Sequence, residues 1–417
     1  MIERLRHKGR AYWFVSIAIL AATIMARDII EDRLNLKDAK NALFLLLTRS
    51  PTNPAYAHNV KLIAIDDDAF WSDAMQHRSP TNRIYLAKLI AAADAAEARV
   101  IALDFDLRLG QSTAPVAPGD YDAIEPAYRR ETDALMRTVG DVAQRRHVVL
   151  SEPIGGPIDG PFNLLAAAPN AYGICTAMLD RGRWENPGTS RFLLTPTAQR
   201  NIACGYIALM DDARRLPPPA RIVGSRFALD SFSLAIARAR DADAPARIGR
   251  HTYASFISAD AIRAPGASIS SSRLLADPLA ARDLLQGNAV VIGAVWHTRS
   301  YGQGDAIDLH DTPIGPVAGA LLHLNLAEAI IGNRVYPAMP ERAMVLIEIA
   351  LGAAAAVLFA LMPSAALAAL LLAGSMLVLL GVQWLFLQLF GTFLDLFAPI
   401  VGMGVHAIFE RLLNRHA

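Results

Sequence analysis

Long apolar stretches near the C-terminal end constrain the fold of this chain most. The first, Ala343 to Met362, contains a single charge at Glu348. An α-helix needs about 20 apolar residues to cross the ~30 Å hydrocarbon core of a bilayer. A second stretch runs from about Pro363 to Phe390 without a charge, and a third runs from about Thr392 to Leu413. The sequence therefore predicts a cluster of three transmembrane helices.

The N-terminus has the layout of either a secretory signal or an uncleaved anchor. Basic residues precede an apolar run from Ala11 to Ala26. Signal cleavage needs small residues near the cut site, but Leu20 and Ile24 lie two places before Ala22 and Ala26. We therefore expect an anchor. The bias of basic residues toward the cytoplasm then predicts that both termini lie inside and that the region between lies outside.

These spans predict four parts of the chain. They are a basic start and anchor (1–30), an extracytoplasmic domain (31–341), three transmembrane helices (342–413) and a cytoplasmic tail (414–417). A mean hydropathy of +0.29 agrees with extensive lipid contact. The net charge of +1 argues against a nucleic-acid partner, because binding the phosphate backbone needs a strong positive surface. We expect a multi-pass protein of the bacterial inner (plasma) membrane.

The region between the spans has the pattern of an α/β domain. The runs NVKLIAID and RVIALDFD flank a helical pattern from about Asn82 to Ala96, which is the order of a parallel strand-helix-strand unit. HVVLSEPI and NAVVIGAV are further buried strands, and a last helix is predicted at about Pro316 to Gly332. We expect a mostly parallel sheet with flanking helices, of which 155–286 is an elaboration.

Acidic residues follow the first two predicted strands. A further aspartate and two histidines lie just before or within the last predicted helix. The candidate ligand-binding residues are Asp66, Asp67, Asp104, Asp106, Asp308, His310 and His323. Ligands of open parallel sheets bind outside the carboxyl ends of the strands. Carboxylate oxygens and imidazoles there could bind a divalent cation. The alternatives are that strand-end aspartates cap helices and turns, and that the histidines are hydrogen-bonded structural residues.

Cys175 and Cys204 have two interpretations. A disulfide is stable in the oxidising compartment predicted for this domain. Each cysteine also lies in an apolar context, AYGIC and NIACGYIAL, where a buried free thiol is common. The sequence leaves both open.

Catalytic motifs are absent from the sequence. It contains no HExxH, GxSxG or P-loop pattern, so we expect neither an enzyme nor a cofactor. A metal-dependent hydrolase using the strand-end aspartates remains an alternative. Within the predicted spans, Glu348 and His406 are ionisable groups that are costly in lipid, so we expect them to face the bundle interior or a partner helix.

The extracytoplasmic region resembles the type 2 CHASE domain, an extracellular sensory module. The resemblance covers about Ile29 to Arg334 and includes the opening VKLIAIDDDAF and the central SFSLAIARA. It is most specific in the closing segment, which has a strand ending in glycine, an aspartate before Thr-Pro, then glycine and His-x-Asn. These are Gly293, Asp308 or Asp311, Thr312, Pro313, Gly319, His323 and Asn325.

The resemblance implies detection of an external ligand or protein. Members of the family usually have one span before the domain, about three after it, and a cytoplasmic output domain. This sequence ends at Ala417 without a cyclase, kinase or phosphodiesterase domain, so we expect the spans to pass the signal to a separate membrane partner. The spans could also pair with a second copy of the chain. The alternative is a scaffold subunit of a cell-envelope complex.

Overall fold

The computed structural model describes most of the chain between residues 37 and 396. The described residues are 14, 17–18, 37–48, 59–78, 81–107, 120–152, 164–165, 174–186, 190–222, 228–241, 244, 248–249, 251–262, 264, 266–299, 304, 306–361 and 365–396. The chain forms two compact units. One comprises Pro51–Val335, and the other comprises Met1–Ser50 with Tyr336–Ala417.

The elements follow one another in an α/β order. The strands are β1 (Val60–Ile65), β2 (Val100–Leu103), β3 (His147–Glu152), β4 (Leu164–Leu165), β5 (Arg183–Asn186), β6 (Ser190–Leu193), β7 (Ile202–Tyr206), β8 (Ala220–Ile222), β9 (Ala228–Ser231), β10 (Thr252–Ala254), β11 (Ser268–Ser270), β12 (Ala289–Ala294), β13 (Leu309–Thr312), β14 (Gly315–Ala318) and β15 (Val335–Pro337). The helices are α1 (Lys37–Thr48), α2 (Asp67–Phe70), α3 (Arg83–Ala95), α4 (Asp120–Val142), α5 (Ile174–Arg181), α6 (Pro196–Asn201), α7 (Phe232–Arg240), α8 (Ala259–Ile262), α9 (Ser271–Ala276), α10 (Arg282–Leu285), α11 (Gly319–Ile331), α12 (Glu341–Leu361) and α13 (Ala365–Phe390).

A nine-stranded sheet forms the centre of the larger unit. Its strand order is β11-β1-β12-β2-β3-β7-β9-β8-β4. Neighbouring strands from β11 to β9 are parallel, whereas β8 is antiparallel to β9 and β4 is parallel to β8. The predicted α/β fold with a mostly parallel sheet is confirmed. Strands β7, β8 and β9 come from the irregular middle region and extend the same sheet.

Alternating strand residues face two helical layers. Ile101 and Leu103 belong to the core cluster that includes α3 and α4. Val100 and Ala102 belong to the cluster that includes α7 and α11. Successive residues of a strand point to opposite faces, so β2 is buried on both sides. Burying a side chain of the size of leucine or isoleucine stabilises the fold by about 1.5–3 kcal/mol.

The start of the last helix differs from the sequence prediction. We expected it at about Pro316, but the structure begins α11 at Gly319. The preceding residues form β14, which pairs with β13 in an antiparallel hairpin with Thr312 opposite Gly315. The hairpin uses the backbone groups of Pro316 to Ala318 for pairing, so they are not available to a helix. Gly315 has a φ of +98°, which permits the tight turn.

The smaller unit contains the predicted C-terminal spans. Within the described residues, one helix, Leu370–Phe390, is long and apolar enough to cross a membrane. Helix α12 covers the first predicted span. Among the described residues, the prediction of three C-terminal transmembrane helices has no support beyond these two helices. Most of the third predicted span, the N-terminal apolar run and His406 lie outside the described residues. Glu348 is buried in this unit.

Residues 391–396, which follow α13, are not helical, contrary to the prediction that a third apolar span starts at about Thr392. Phe393 instead forms a β-bridge with Ala338. The ring of Phe393 also contacts Phe44 of α1 edge-on, with 5.4 Å between ring centroids. Lys40 Nζ of α1 lies 3.1 Å from Asp395 Oδ2. The segment therefore connects α1 to the residues that precede α12.

Candidate functional site

Asp104 lies directly after β2, at the carboxyl edge of the sheet. Its backbone N–H donates to the carbonyl of Ile292 on β12 at 3.0 Å. Asp104 lies on the same face of the sheet as Val100 and Ala102, which face α7 and α11. A Cβ at Gly293 would lie 3.7 Å from the Cβ of Asp104 and 2.3 Å from that of Ala320. Glycine therefore allows α11 to pack directly on β12 beside Asp104.

Asp308 and His310 lie on the hairpin before α11. Asp308 Oδ1 is 3.0 Å from His310 Nε2. Asp308 has a φ of +53°, a left-handed conformation that is uncommon for residues other than glycine. Its carbonyl accepts a hydrogen bond from the N–H of Gly319 at 2.8 Å. A Cβ at Gly319 would lie 1.9 Å from Asp308 Oδ2, so the first residue of α11 must be glycine for this contact.

His323 lies one turn into α11 and connects it to α7. Only 3% of the residue is exposed. Its Nδ1 is 3.1 Å from Ser233 Oγ, and its ring packs edge-on against Phe232. Burial lowers the pKa of His323 to about 4, so its imidazole is neutral at physiological pH. This geometry agrees with the structural alternative for His323.

The electrostatics of the cluster are dominated by Asp104 and the Asp308–His310 pair. The residue Asp104 is partly exposed, yet its carboxyl lies deep enough that burial raises its pKa to about 7. The nearby Asp308 carboxylate also raises this pKa, whereas His310 lowers it. The hydrogen bond between Asp308 and His310 lowers the pKa of Asp308 and raises that of His310. The hydrogen bond thus favours the charged form of both partners, and the pKa of Asp104 lies near neutrality.

The other predicted site residues make different contacts. Asp66 caps α2, because its Oδ1 accepts from the N–H of Ala69 at 3.1 Å. Asp67 Oδ1 accepts from the N–H of His297 at 2.7 Å, and its Oδ2 is 2.8 Å from His297 Nδ1. Asp106 is exposed, and its charge acts on the buried guanidinium of Arg83. The structure thus brings together Asp104, Asp308, His310 and His323 only.

The Asp67–His297 pair was not predicted. Both residues follow neighbouring parallel strands, β1 and β12, so their ends meet at one edge of the sheet. Strand adjacency was the only signal that could have found the pair. The stacked rings of Phe70 and Trp296, with centroids 4.1 Å apart, lie beside it. The pair fixes the loop after β12 on the start of α2.

The predicted acids and histidines do not form a metal-binding group within the described part of the chain. Among the described residues, one set of three possible metal ligands has all its ligand atoms within 4.8 Å of one another. This set is Glu152, Cys175 and Cys204. Asp104, Asp308 and His310 do not meet this condition, although the ligands of one metal ion must lie this close together. The cysteines of that set are joined to each other.

The structure contains the Cys175–Cys204 disulfide that the sequence left open. The two Cα atoms are 5.7 Å apart. The bond links α5 to β7, and Cys175 is 1% exposed. Next to it, Glu152 Oε2 accepts hydrogen bonds from the backbone N–H of Thr176 at 3.0 Å and from its hydroxyl at 2.9 Å. The carboxylate and the disulfide together fix the start of α5.

Comparison with known protein families finds one family that matches this chain. The sequence pattern of the CHASE2 domain matches residues 15–367. No curated protein and no solved structure matches the chain. The matched region contains the whole central sheet, the acid and histidine cluster and all of α12. The chain therefore belongs to the CHASE2 family of extracellular sensory domains.

Proposed function

We propose that the chain is a membrane-bound sensor. Its α/β domain detects an extracytoplasmic signal, and its transmembrane helices relay the response to a separate partner protein. The observation that carries this proposal is the CHASE2 match over residues 15–367. That match continues past the α/β domain into α12, so the family pattern joins a sensory domain to a helix predicted to span the membrane.

The proposed topology has one N-terminal span and three C-terminal spans in the bacterial inner membrane. The apolar helix Leu370–Phe390 supports it, as does the helical conformation of Glu341–Leu361. The basic residues before Ala11 support a cytoplasmic N-terminus. In this topology the α/β domain faces outward and both termini face the cytoplasm.

The proposed signal-binding site is the cluster of Asp104, Asp308 and His310. It lies outside the carboxyl ends of parallel strands, where ligands of open α/β sheets bind. The Asp104 side chain forms no hydrogen bond or ion pair with the described residues. A partly buried carboxyl without a partner is unfavourable, so binding a ligand there would recover interaction energy.

The proposed relay runs along α11. This helix begins at Gly319, against Asp308, and its 13 residues span about 20 Å. In its last turns Glu328 accepts from the backbone N–H of Val60 at 2.9 Å and lies 3.8 Å from Arg334 Nη2. Arg334 directly precedes β15, which continues to α12. A shift of α11 at the cluster would therefore change the position of the exit from the α/β domain.

A comparison of whole-cell responses tests the proposal. Deletion of the gene in its host defines the transcripts that depend on the protein. Cells with Asp104→Asn plus Asp308→Asn should reproduce the deletion pattern, as should cells in which an unrelated single anchor replaces residues 342–413. Asp106→Asn is the matched control, because Asp106 follows the same strand but is exposed and outside the cluster.

Each outcome of this comparison decides one step. Site variants with the wild-type pattern would show that the cluster does not sense the signal and would favour the scaffold alternative. A fully active single-anchor protein would show that the C-terminal helices only anchor the domain. Immunoblots of the membrane fraction ensure that every variant is present at wild-type abundance.

A further inference from the structure

The cluster is the contact through which the β13–β14 hairpin meets the first turn of α11. Asp308 makes this contact twice. Its carbonyl accepts from the N–H of Gly319, and its carboxylate lies over the Cα of Gly319 with no room for a side chain. His310 Nε2 is the hydrogen-bond partner of the same carboxylate. Any change in the interaction between Asp308 and His310 therefore acts on the start of α11.

We infer that the cluster is a proton-operated latch, in which Asp104 gains or loses a proton and thereby changes how the hairpin holds the N-terminus of α11. The inference rests on the proposed sensory function and names the proton as a ligand of its site. The cluster has two carboxyl groups and one imidazole. The hydrogen bond between Asp308 and His310 favours opposite charges on these two, so a second carboxylate at Asp104 is left unbalanced. His323 contributes no charge, because it is buried and neutral.

The charge balance gives the direction of the change. With Asp104 protonated, the charges that the hydrogen bond favours, negative on Asp308 and positive on His310, cancel. When pH rises, Asp104 releases its proton to solvent and the cluster acquires one net negative charge. The charged groups that act on Asp104 among the described residues are Asp308 and His310. The new carboxylate repels Asp308 and attracts His310, so it competes with the Asp308–His310 hydrogen bond.

Burial of the Asp104 carboxyl places its protonation equilibrium in the physiological pH range. The pKa of Asp104 is raised to about 7, so its two protonation states are about equally populated there. The hydrogen bond to Asp308, together with the charges of Asp308 and Asp104, raises the pKa of His310 and so favours its imidazolium form. The N-terminus of α11 favours a negative charge beside it, which offsets part of the repulsion between the two carboxylates.

The first measurement follows the proton itself. Infrared titration of the full-length chain in lipid nanodiscs detects the carboxylic-acid band. A band with a half-point at about pH 7 should appear in the wild type and in Asp106→Asn and be absent from Asp104→Asn. In His310→Gln the half-point should rise, because the imidazolium that lowers the pKa of Asp104 is removed. This second variant also tests the inference if Asp104→Asn does not fold.

The second measurement follows α11. The hydrogen-exchange protection of the Gly319 amide, corrected for its intrinsic rate, should change across the same half-point in the wild type. It should be constant in Asp104→Asn.

The outcomes separate the latch from the proposed function. A titrating band with constant Gly319 protection would overturn the latch, and so would the absence of the band. Either result leaves the whole-cell comparison of site variants unaffected, because a ligand other than the proton could bind the cluster. Loss of the signalling pattern without titration would therefore retain the sensor and reject the proton as its ligand.

Discussion

Glu328, near the end of α11, accepts a hydrogen bond from the backbone N–H of Val60, the first residue of β1, at 2.9 Å. The glutamate is 1% exposed, and its other oxygen accepts from the side-chain amide of Asn59 at 3.2 Å. Burial raises the pKa of Glu328, whereas these hydrogen bonds lower it. The last turns of α11 are thus attached to the sheet far from the acid and histidine cluster.

Removing this attachment should destabilise the α/β domain. Glu328→Ala leaves the buried N–H of Val60 without an acceptor, which costs about 1–3 kcal/mol. Glu328→Gln keeps one acceptor oxygen and should cost less. Urea unfolding of the full-length chain, followed by tryptophan fluorescence, measures both. Equal stability of Glu328→Ala and the wild type would contradict the assigned contact.

The pH dependence of stability should differ between the wild type and Asp104→Asn. The pKa of Asp104 is raised from 3.8 to about 7, so its contribution to stability is complete at low pH and is lost as pH rises through 7. The pKa of His323 is lowered from 6.5 to about 4, so its contribution is complete above pH 6.5 and is lost as pH falls through 4. The two contributions oppose each other in the same range.

Asp104→Asn removes one of these contributions and should expose the other. The stability of the variant should fall more steeply with decreasing pH than that of the wild type. The difference in melting temperature, wild type minus variant, should be largest at low pH and decrease toward pH 7. A difference that is independent of pH would show that Asp104 has an ordinary pKa.

Gly319→Ala should separate the hairpin from α11. Its Cβ would lie 1.9 Å from Asp308 Oδ2, and such overpacking costs about 1–3 kcal/mol. Asp308→Ala removes the clashing carboxylate, so the double variant should recover part of the loss. Gly266→Ala is the control, because nothing lies within 4 Å of its added Cβ. Additive losses in a double-mutant cycle would contradict the contact.

Breaking the disulfide should destabilise the region around α5. Cys175 and Cys204 are 29 positions apart, and closing a loop of this size stabilises a fold by roughly 3–4 kcal/mol. The Cys175→Ala/Cys204→Ala variant should lose about this amount in urea unfolding. Mass spectrometry after alkylation without reductant checks the bond directly. Modification of both cysteines in the native chain would show that they are reduced.

The proposed topology predicts where reporters are active. A reporter fused after Ala417 should be active only as a cytoplasmic fusion, and one near Gly110 only as an external fusion. The physical reason is the basic N-terminus together with Arg411 and Arg415 near the tail, which favour the cytoplasmic side. An external C-terminus would change the number of spans from even to odd.

Several elements of the larger unit followed from local sequence. Continuous apolar runs predicted β1, β2, β3 and β12, because strands buried on both faces contain few polar residues. Asn82 predicted the start of α3, and its side chain accepts from the N–H groups of Ile84 and Tyr85. These features depend on residues a few positions apart, so the sequence alone was sufficient for them and for the α/β class.

The hairpin of β13 and β14 did not follow from local sequence. The apolar spacing around Pro316 fits a helix equally well, and pairing with β13 decided otherwise. In the same way, nothing local distinguishes Asp66 from Asp104, since each is an acid at the end of a buried strand. The first became a helix cap, whereas the side chain of the second forms no hydrogen bond or ion pair with the residues that the structure describes.

The sheet order decided that difference. The last long strand, β12, lies between β1 and β2 and brings α11 with it. Gly293 then lets Ala320 approach Asp104, and Gly319 lets Asp308 approach the same corner. Sequence by itself determined the strands β1, β2, β3 and β12, the class of the domain and its resemblance to a sensory family. Only the tertiary structure decided which acids share a site, because the residues that surround Asp104 come from segments far apart in the chain.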